Sequence, residues 1–156
     1  VFSVEGFPLS RVEAERALSA WPELADAARA LLDAWPERTP GFHRLDLPGF
    51  NAVLDLAVGD VEWALGQWTG RADAWFLDGF SPAKNPELWA PDLMAEVARH
   101  TAPGGTFATY TAAGHVRRAL ADAGFTVSRQ PGFGRKRHMT TGMLQPSATA
   151  SSISPG

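Results

Sequence analysis

Three carboxylates stand where strand-borne chemistry is usually found. Glu5, Asp60 and Asp78 are each the first polar residue after an apolar run. Ligands of open α/β sheets bind beyond the carboxyl ends of the strands, so three such acids on one edge of one sheet would form a polar rim. A carboxylate closing a strand can accept hydrogen bonds from both hydroxyls of a nucleoside ribose, and Glu5 fits that role. Asp60 has two equal readings: it can accept from the exocyclic amine of an adenine, or it can cap the helix that follows. Each acid also has an ordinary alternative as a cap or a loop solubiliser.

Asp78 opens the most informative stretch, Asp78-Gly79-Phe80-Ser81-Pro82-Ala83-Lys84-Asn85-Pro86-Glu87-Leu88-Trp89. Glycine permits close backbone approach, proline lowers the entropy of ordering, and Phe80 and Trp89 offer faces on which a planar base can stack. Arg135-Lys136-Arg137-His138 is a basic cluster after a glycine turn, suited either to phosphate contact or to a solvated turn. Arg117-Arg118 reads as an exposed helix face. The four histidines are scattered without ligand spacing, so a metal site is not expected. Ser10 and Ser81 lack the G-x-S-x-G setting of a hydrolase nucleophile. Gly132-Phe133-Gly134 runs into Arg135-Lys136-Arg137 and not into a helix, which disqualifies it as a dinucleotide fingerprint.

The elements that must carry these residues follow from pattern. Residues 1–5 read as a strand. Ser10 and Glu13 have capping-box spacing, so a helix is expected from there to about Trp21, broken at Pro22 and resumed to about Trp35. Strands are expected at 42–47 and 52–58, turning at Pro48-Gly49, then a short helix to about Trp68. The apolar run 73–77 has the look of a strand buried on both faces. Pro91 starts a helix ending near Thr101, and Pro103-Gly104-Gly105 reads as a tight turn into a strand at 106–111. A helix over 113–123 ends at Gly124, and strands at 125–129 and 138–144 close the domain as an antiparallel hairpin. The whole reads as an α/β sheet, mostly parallel, with helices on both faces. From Gln145 the chain turns to uncharged Ser, Ala, Thr and Pro, the composition of a linker or tail.

Composition narrows the function further. The 156 residues are 45% hydrophobic and 20% charged, enough for one domain with a real core and too apolar for a disordered chain. No apolar run reaches the roughly 20 residues of a membrane helix. Zero cysteines exclude disulfides, thiolate metal sites and a cysteine nucleophile. Together with the lack of a visible signal peptide, they fit a cytoplasmic location. A net charge of -3 argues against a protein that coats nucleic acid, so any such contact must be local.

Four segments together carry a resemblance: Phe2-Ser3-Val4-Glu5-Gly6-Phe7-Pro8-Leu9; the run from Asp73-Ala74-Trp75-Phe76-Leu77 through Asp78 to Trp89; Pro103-Gly104-Gly105-Thr106-Phe107-Ala108-Thr109-Tyr110-Thr111; and Gly132-Phe133-Gly134-Arg135-Lys136-Arg137. Over residues 1–144 the sequence resembles the methyltransferase domain of the bacterial bifunctional tRNA 5-methylaminomethyl-2-thiouridine biosynthesis proteins. The resemblance implies a Rossmann-like class I methyltransferase fold that uses S-adenosylmethionine. The implied reaction methylates the primary amine of 5-aminomethyl-2-thiouridine at the tRNA wobble position. It also implies a FAD-dependent oxidoreductase domain, fused or separate, that makes the amine; nothing after Leu144 matches one. By position, Glu5 and Asp60 would hold the cofactor's ribose and adenine, with Asp78 and Gly79 beside it. Asp78, Phe80 and Pro82 would present the acceptor, and Lys84, Asn85, Trp89, Arg135, Lys136 and Arg137 would meet the tRNA.

The family's first strand and Gly-rich cofactor loop have no counterpart after Val1. The chain therefore reads as lacking its true N-terminus, as a partial domain over 1–144 with a tail over 145–156, and as a poor binder of cofactor by itself. Two other classes stay open: a fragment of an NAD(P)-dependent oxidoreductase with Glu5 on the ribose, and a non-catalytic RNA-binding module built on residues 135–138. An upstream G-x-G-x-x-G would favour the first, a looser E-x-G-x-G loop the methyltransferase.

Overall fold

A computed structural model describes residues 1–134 and 136–146, and the chain divides into two compact units, Val1–Gln67 and Trp68–Gly156. Arg135 and all of the expected tail except Gln145 and Pro146 lie outside the described residues.

The first unit is a three-stranded sheet of order β1-β3-β2, with β1 over Phe2–Glu5, β2 over Gly41–Leu47 and β3 over Ala52–Val58. β1 runs parallel to β3, and β2 runs antiparallel to it. A 3-10 turn at Pro48–Phe50 joins β2 to β3; Asn51 follows at a left-handed φ of 47°, which Asn tolerates better than most residues. Helix α1 (Arg11–Leu18) starts on the anticipated capping box: Ser10 Oγ accepts from the Glu13 amide, and Glu13 accepts from the Ser10 amide at 2.8 Å. It ends three residues short of Trp21, a 3-10 turn at Pro22–Leu24 intervenes, and α2 (Ala25–Asp33) follows. Alternation along the strands sorts side chains to two faces. Leu45, Leu54, Leu56 and Val58 pack with Leu31 and Ala34 on one of them. On the other, Phe42 stacks with Phe2 (6.5 Å between centroids) and with Trp63 (5.2 Å) of α3 (Val61–Gln67).

The second unit holds a four-stranded sheet of order β4-β5-β7-β6: β4 Ala72–Phe76, β5 Thr101–Thr109, β6 Phe125–Pro131 and β7 His138–Leu144. Helices α4 (Pro91–Arg99) and α5 (Gly114–Asp122) bury Leu93, Met94, Val97, Val116, Ala119 and Leu120. In the same unit Phe107 meets Phe125 edge-on at 5.1 Å. The residues of the alternate register, among them Ala74, Phe76, Ala108, Thr141 and Met143, line a shallow concavity. At its edge Phe76 is 85% exposed.

Four sequence expectations change. The strands form two hydrogen-bonded sheets and not one, with β1 and β4 each at an edge. They are not mostly parallel: β1–β3 and β4–β5 are parallel, while β2–β3, β5–β7 and β6–β7 are antiparallel. Connections as short as 48–51 and 132–137 can only join antiparallel neighbours. β4 is not buried on both faces: Ala74 and Phe76 are exposed on the face of the sheet that lines the concavity. Finally, Pro103-Gly104-Gly105 does not precede a strand but interrupts one. Ala72 pairs with Thr101 and Ala74 with Thr106, so the intervening residues of β5 arch out of register.

Candidate functional site

In the first unit the ends of two parallel strands place two of the acids together. Glu5 pairs with Val58, and the Gly59 amide donates to the Glu5 carbonyl at 3.1 Å, so Asp60 emerges just past the same row. Both side chains are exposed and already serve the nearest backbone. Glu5 Oε1 accepts from the Phe7 amide at 3.0 Å. Asp60 Oδ1 accepts from the amides of Glu62 (2.8 Å) and Trp63 (3.1 Å), the bonds of a helix N-cap. Each carboxylate has a second oxygen with further acceptor capacity, which suits a ribose hydroxyl pair and an exocyclic amine.

In the second unit the Leu77 amide donates to the Ala108 carbonyl at 3.0 Å, carrying the β4–β5 pairing one residue past β4 and delivering Asp78 to the same rim as the end of β5. The loop then folds back. The amides of Lys84 and Asn85 donate to the Ser81 carbonyl at 2.8 and 3.0 Å, and a 3-10 turn over Pro86–Trp89 returns the chain beneath residues 78–80. Trp89 Nε1 donates to the Phe80 carbonyl at 2.8 Å. The Tyr110 hydroxyl donates to the Gly79 carbonyl at 2.5 Å, and the two rings meet edge-on, 6.5 Å between centroids. Gly79 packs closely: a Cβ there would press on Leu88 Cδ1 at 3.2 Å and meet Trp89 Cζ2 at 3.5 Å, an ordinary contact. Asp78 is exposed, and Phe80 holds its ring outward at 64% exposure; Pro82 and Asn85 are half-buried and Lys84 is exposed.

Trp89 departs from its expected use as a stacking platform. It is 3% exposed, so its ring faces are occupied from within and it braces the loop, leaving Phe80 as the accessible aromatic face. Tyr110, the chain's single tyrosine, is the residue that sequence reasoning passed over. Its position just past β5, matching that of Asp78 just past β4, was the available signal. Burial and then the charge of Asp78 push its phenol pKa upward, which keeps the hydroxyl protonated as a donor.

The third group of expected site residues lies on the turn between β6 and β7. The Gly132 amide donates to the Arg137 carbonyl, and the Lys136 amide donates to the Phe133 carbonyl, both at 3.1 Å. A side chain at Gly132 would collide with the Lys136 carbonyl, so the turn requires glycine. Lys136 and Arg137 are exposed, and the Lys136 ammonium stands 4.9 Å from the centroid of the Tyr110 ring. Gly132-Phe133-Gly134 thus belongs to a hairpin turn and not to a strand–helix phosphate loop. Among the described residues no three His, Cys, Asp or Glu side chains converge on a cation site, and no helix is long and apolar enough to cross a membrane.

Comparison with known proteins places the chain in a family. The tRNA 5-methylaminomethyl-2-thiouridine biosynthesis bifunctional protein MnmC of Caulobacter vibrioides is 61% identical over 137 residues, which is 88% of this chain and 23% of that protein. The protein of the same name from Chromohalobacter salexigens is 55% identical over 142 residues, 91% of this chain and 20% of that one. The chain therefore spans between a fifth and a quarter of the length of these curated relatives. Among solved structures, MnmC2 from Aquifex aeolicus superposes with a TM-score of 0.66 at 26% identity, over 93% of this chain and 53% of that one. The family model described as S-adenosyl-L-methionine-dependent methyltransferase matches residues 22–145. With that match covering most of its length, the chain belongs to the S-adenosyl-L-methionine-dependent methyltransferase family.

Proposed function

We propose that this chain contributes the acceptor loop and part of the cofactor rim to a methyltransferase acting on the amine of 5-aminomethyl-2-thiouridine at the tRNA wobble position. The observation that carries the reading is the Asp78–Pro82 loop. It is tied down by hydrogen bonds from Trp89 and Tyr110, it stands at the carboxyl end of a strand, and it pairs an exposed carboxylate with an outward aromatic ring. The names of the relatives give tRNA and the product nucleoside, 5-methylaminomethyl-2-thiouridine, and an amine acceptor lacking its methyl group is the matching substrate.

Glu5 would hold the ribose hydroxyls of the cofactor through its free carboxylate oxygen, and Asp60 the adenine amine through the oxygen not used in capping. S-adenosylmethionine, when bound, supplies a methyl group activated by a sulfonium. The acceptor must arrive as a free amine, although near neutral pH an alkylamine is mostly protonated. Asp78 orients the N–H groups of the amine and stabilises the positive charge that grows on nitrogen as the N–C bond forms and the C–S bond breaks. Phe80 stacks on the uracil ring, and Pro82 narrows the backbone freedom of the loop, so alignment supplies much of the acceleration. Arg137, Lys84 and Asn85 face the RNA backbone. A FAD-dependent oxidoreductase domain, fused or separate, is the partner that generates the amine, in keeping with the word bifunctional in the relatives' names, and a tRNA substrate supports a cytoplasmic location.

Asp78→Ala in the full-length protein is the test. The rate of methyl transfer to tRNA carrying the aminomethyl group should fall by about a hundredfold or more, with the far-ultraviolet circular dichroism unchanged. A rate near that of the unaltered protein would overturn the reading.

A further inference from the structure

Lys136 lies in a basic turn, where an exposed ammonium is ordinarily assigned to phosphate. Its surroundings point elsewhere. The ammonium is positioned over the face of Tyr110, 4.9 Å from the centroid, within the range of a cation–π interaction. The hydroxyl of that same tyrosine donates to the carbonyl of Gly79, and its ring meets that of Trp89 in a T-shaped contact, the Trp89 indole N–H holding the carbonyl of Phe80. Two consecutive carbonyls of the acceptor loop are thus fixed by two aromatic donors that touch each other, and Lys136 closes the outer side of that pair.

We propose that Lys136 is a positioning residue: through Tyr110 it fixes the Gly79 and Phe80 carbonyls, and so the loop that presents Asp78, while Arg137 beside it contacts phosphate. This rests on the reading of residues 78–82 as the amine-presenting loop. A cation over the ring restricts its tilt, and the ring's hydroxyl in turn restricts Gly79. The upward shift of the Tyr110 phenol keeps that hydroxyl a donor across the working pH range. The β6–β7 turn would then report on the loop without touching the substrate amine.

The test compares Lys136→Met, Lys136→Arg, Arg137→Met, Tyr110→Phe and the Lys136→Met/Tyr110→Phe pair in the full-length protein. Removing a phosphate contact lowers the slope of log affinity for tRNA against log salt by about one. Arg137→Met should do so, and Lys136→Met should leave the slope unchanged. Lys136→Met should instead lower turnover at saturating tRNA by about two- to fivefold, the size expected of an exposed cation–π contact. Lys136→Arg should restore it. Tyr110→Phe keeps the ring but cuts the link to Gly79, so adding Lys136→Met to it should cause no further loss. Amide hydrogen exchange at Lys84 and Asn85, whose amides donate to the Ser81 carbonyl of the same loop, followed without tRNA, should quicken in Lys136→Met and return in Lys136→Arg. A slope reduced by about one with turnover at saturation intact would overturn the proposal, as would additive losses in the pair. If the unaltered protein transfers no methyl to tRNA, the functional reading fails separately, and the exchange measurement alone decides the relay: unchanged exchange in Lys136→Met rejects it.

Discussion

The rim of the first unit and the rim of the second solve the same problem differently. Each delivers acids to the carboxyl ends of parallel strands. In the first, Glu5 and Asp60 are held by backbone amides two or three residues away. In the second, the loop after Asp78 is held by Trp89, nine residues beyond Phe80, and by Tyr110, thirty-one beyond Gly79. A local anchor fixes a side chain while leaving its surroundings open to a ligand. A distant anchor fixes a stretch of backbone, and transmits strain if it is altered. The first suits residues that hold a cofactor, the second a loop that must hold an acceptor in line.

The comparison is broken most forcefully at Trp89. Trp89→Ala removes a buried indole from beneath the loop and should destabilise the protein by about 3–5 kcal/mol, measured by denaturant unfolding. Trp89→Phe keeps most of the volume and loses the bond to the Phe80 carbonyl, with an expected cost of about 1–2 kcal/mol. If Trp89→Phe costs nothing, the indole N–H contributes nothing to the loop, and the contrast between the rims reduces to packing.

The same contrast explains what could be read from the sequence. The capping box at Ser10 and Glu13, and the cap at Asp60, depend on residues three positions apart or fewer, and their spacing is visible in the chain. The loop from Asp78 to Trp89 was legible from its prolines, glycine and aromatics. Its bracing was not, because nothing near Tyr110 encodes a bond to Gly79. The run 72–76 illustrates the limit from another side. Apolar strand residues look alike whether one face of the sheet is covered or both, so the exposure of Phe76 follows from the open face on which it lies and not from local pattern. Likewise β6 and β7 were recognisable as a hairpin, but the insertion of β7 between β5 and β6 depends on pairings made across the sheet.

A smaller effect sharpens the local side. Asp60→Ala removes the cap of α3 and should cost about 1 kcal/mol, while Asp60→Asn, which preserves a capping acceptor, should cost little. Cofactor affinity gives the complementary readout in the full-length protein. If the second oxygen of Asp60 receives the adenine amine, Asp60→Asn should weaken binding at least as much as Asp60→Ala, because the single asparagine oxygen is taken by the cap and its amide nitrogen, a donor, faces the adenine amine. Equal affinity in all three proteins would leave Asp60 as a cap alone.

The smallest expected effect lies at Glu13, where anchoring is wholly local. Hydrogen bonds from the Ser10 side chain and then the Ser10 backbone hold its carboxyl pKa below the usual value, with a lesser contribution from Arg38. A group whose pKa is depressed by folding stabilises the folded chain above its unfolded value and loses that contribution as pH falls. Stability from the start of α1 should therefore be intact at neutral pH and decline below about pH 4.5, the ordinary value for this group. Glu13→Gln can still accept from the Ser10 amide but does not titrate in that window, so its stability should fall less steeply with acid than that of the unaltered protein. Ser10→Ala should flatten the same dependence by removing the donor that depresses the pKa. Parallel acid profiles for all three would mean that the capping box is present without being coupled to the charge on Glu13, and that even the most local of these anchors acts by geometry alone.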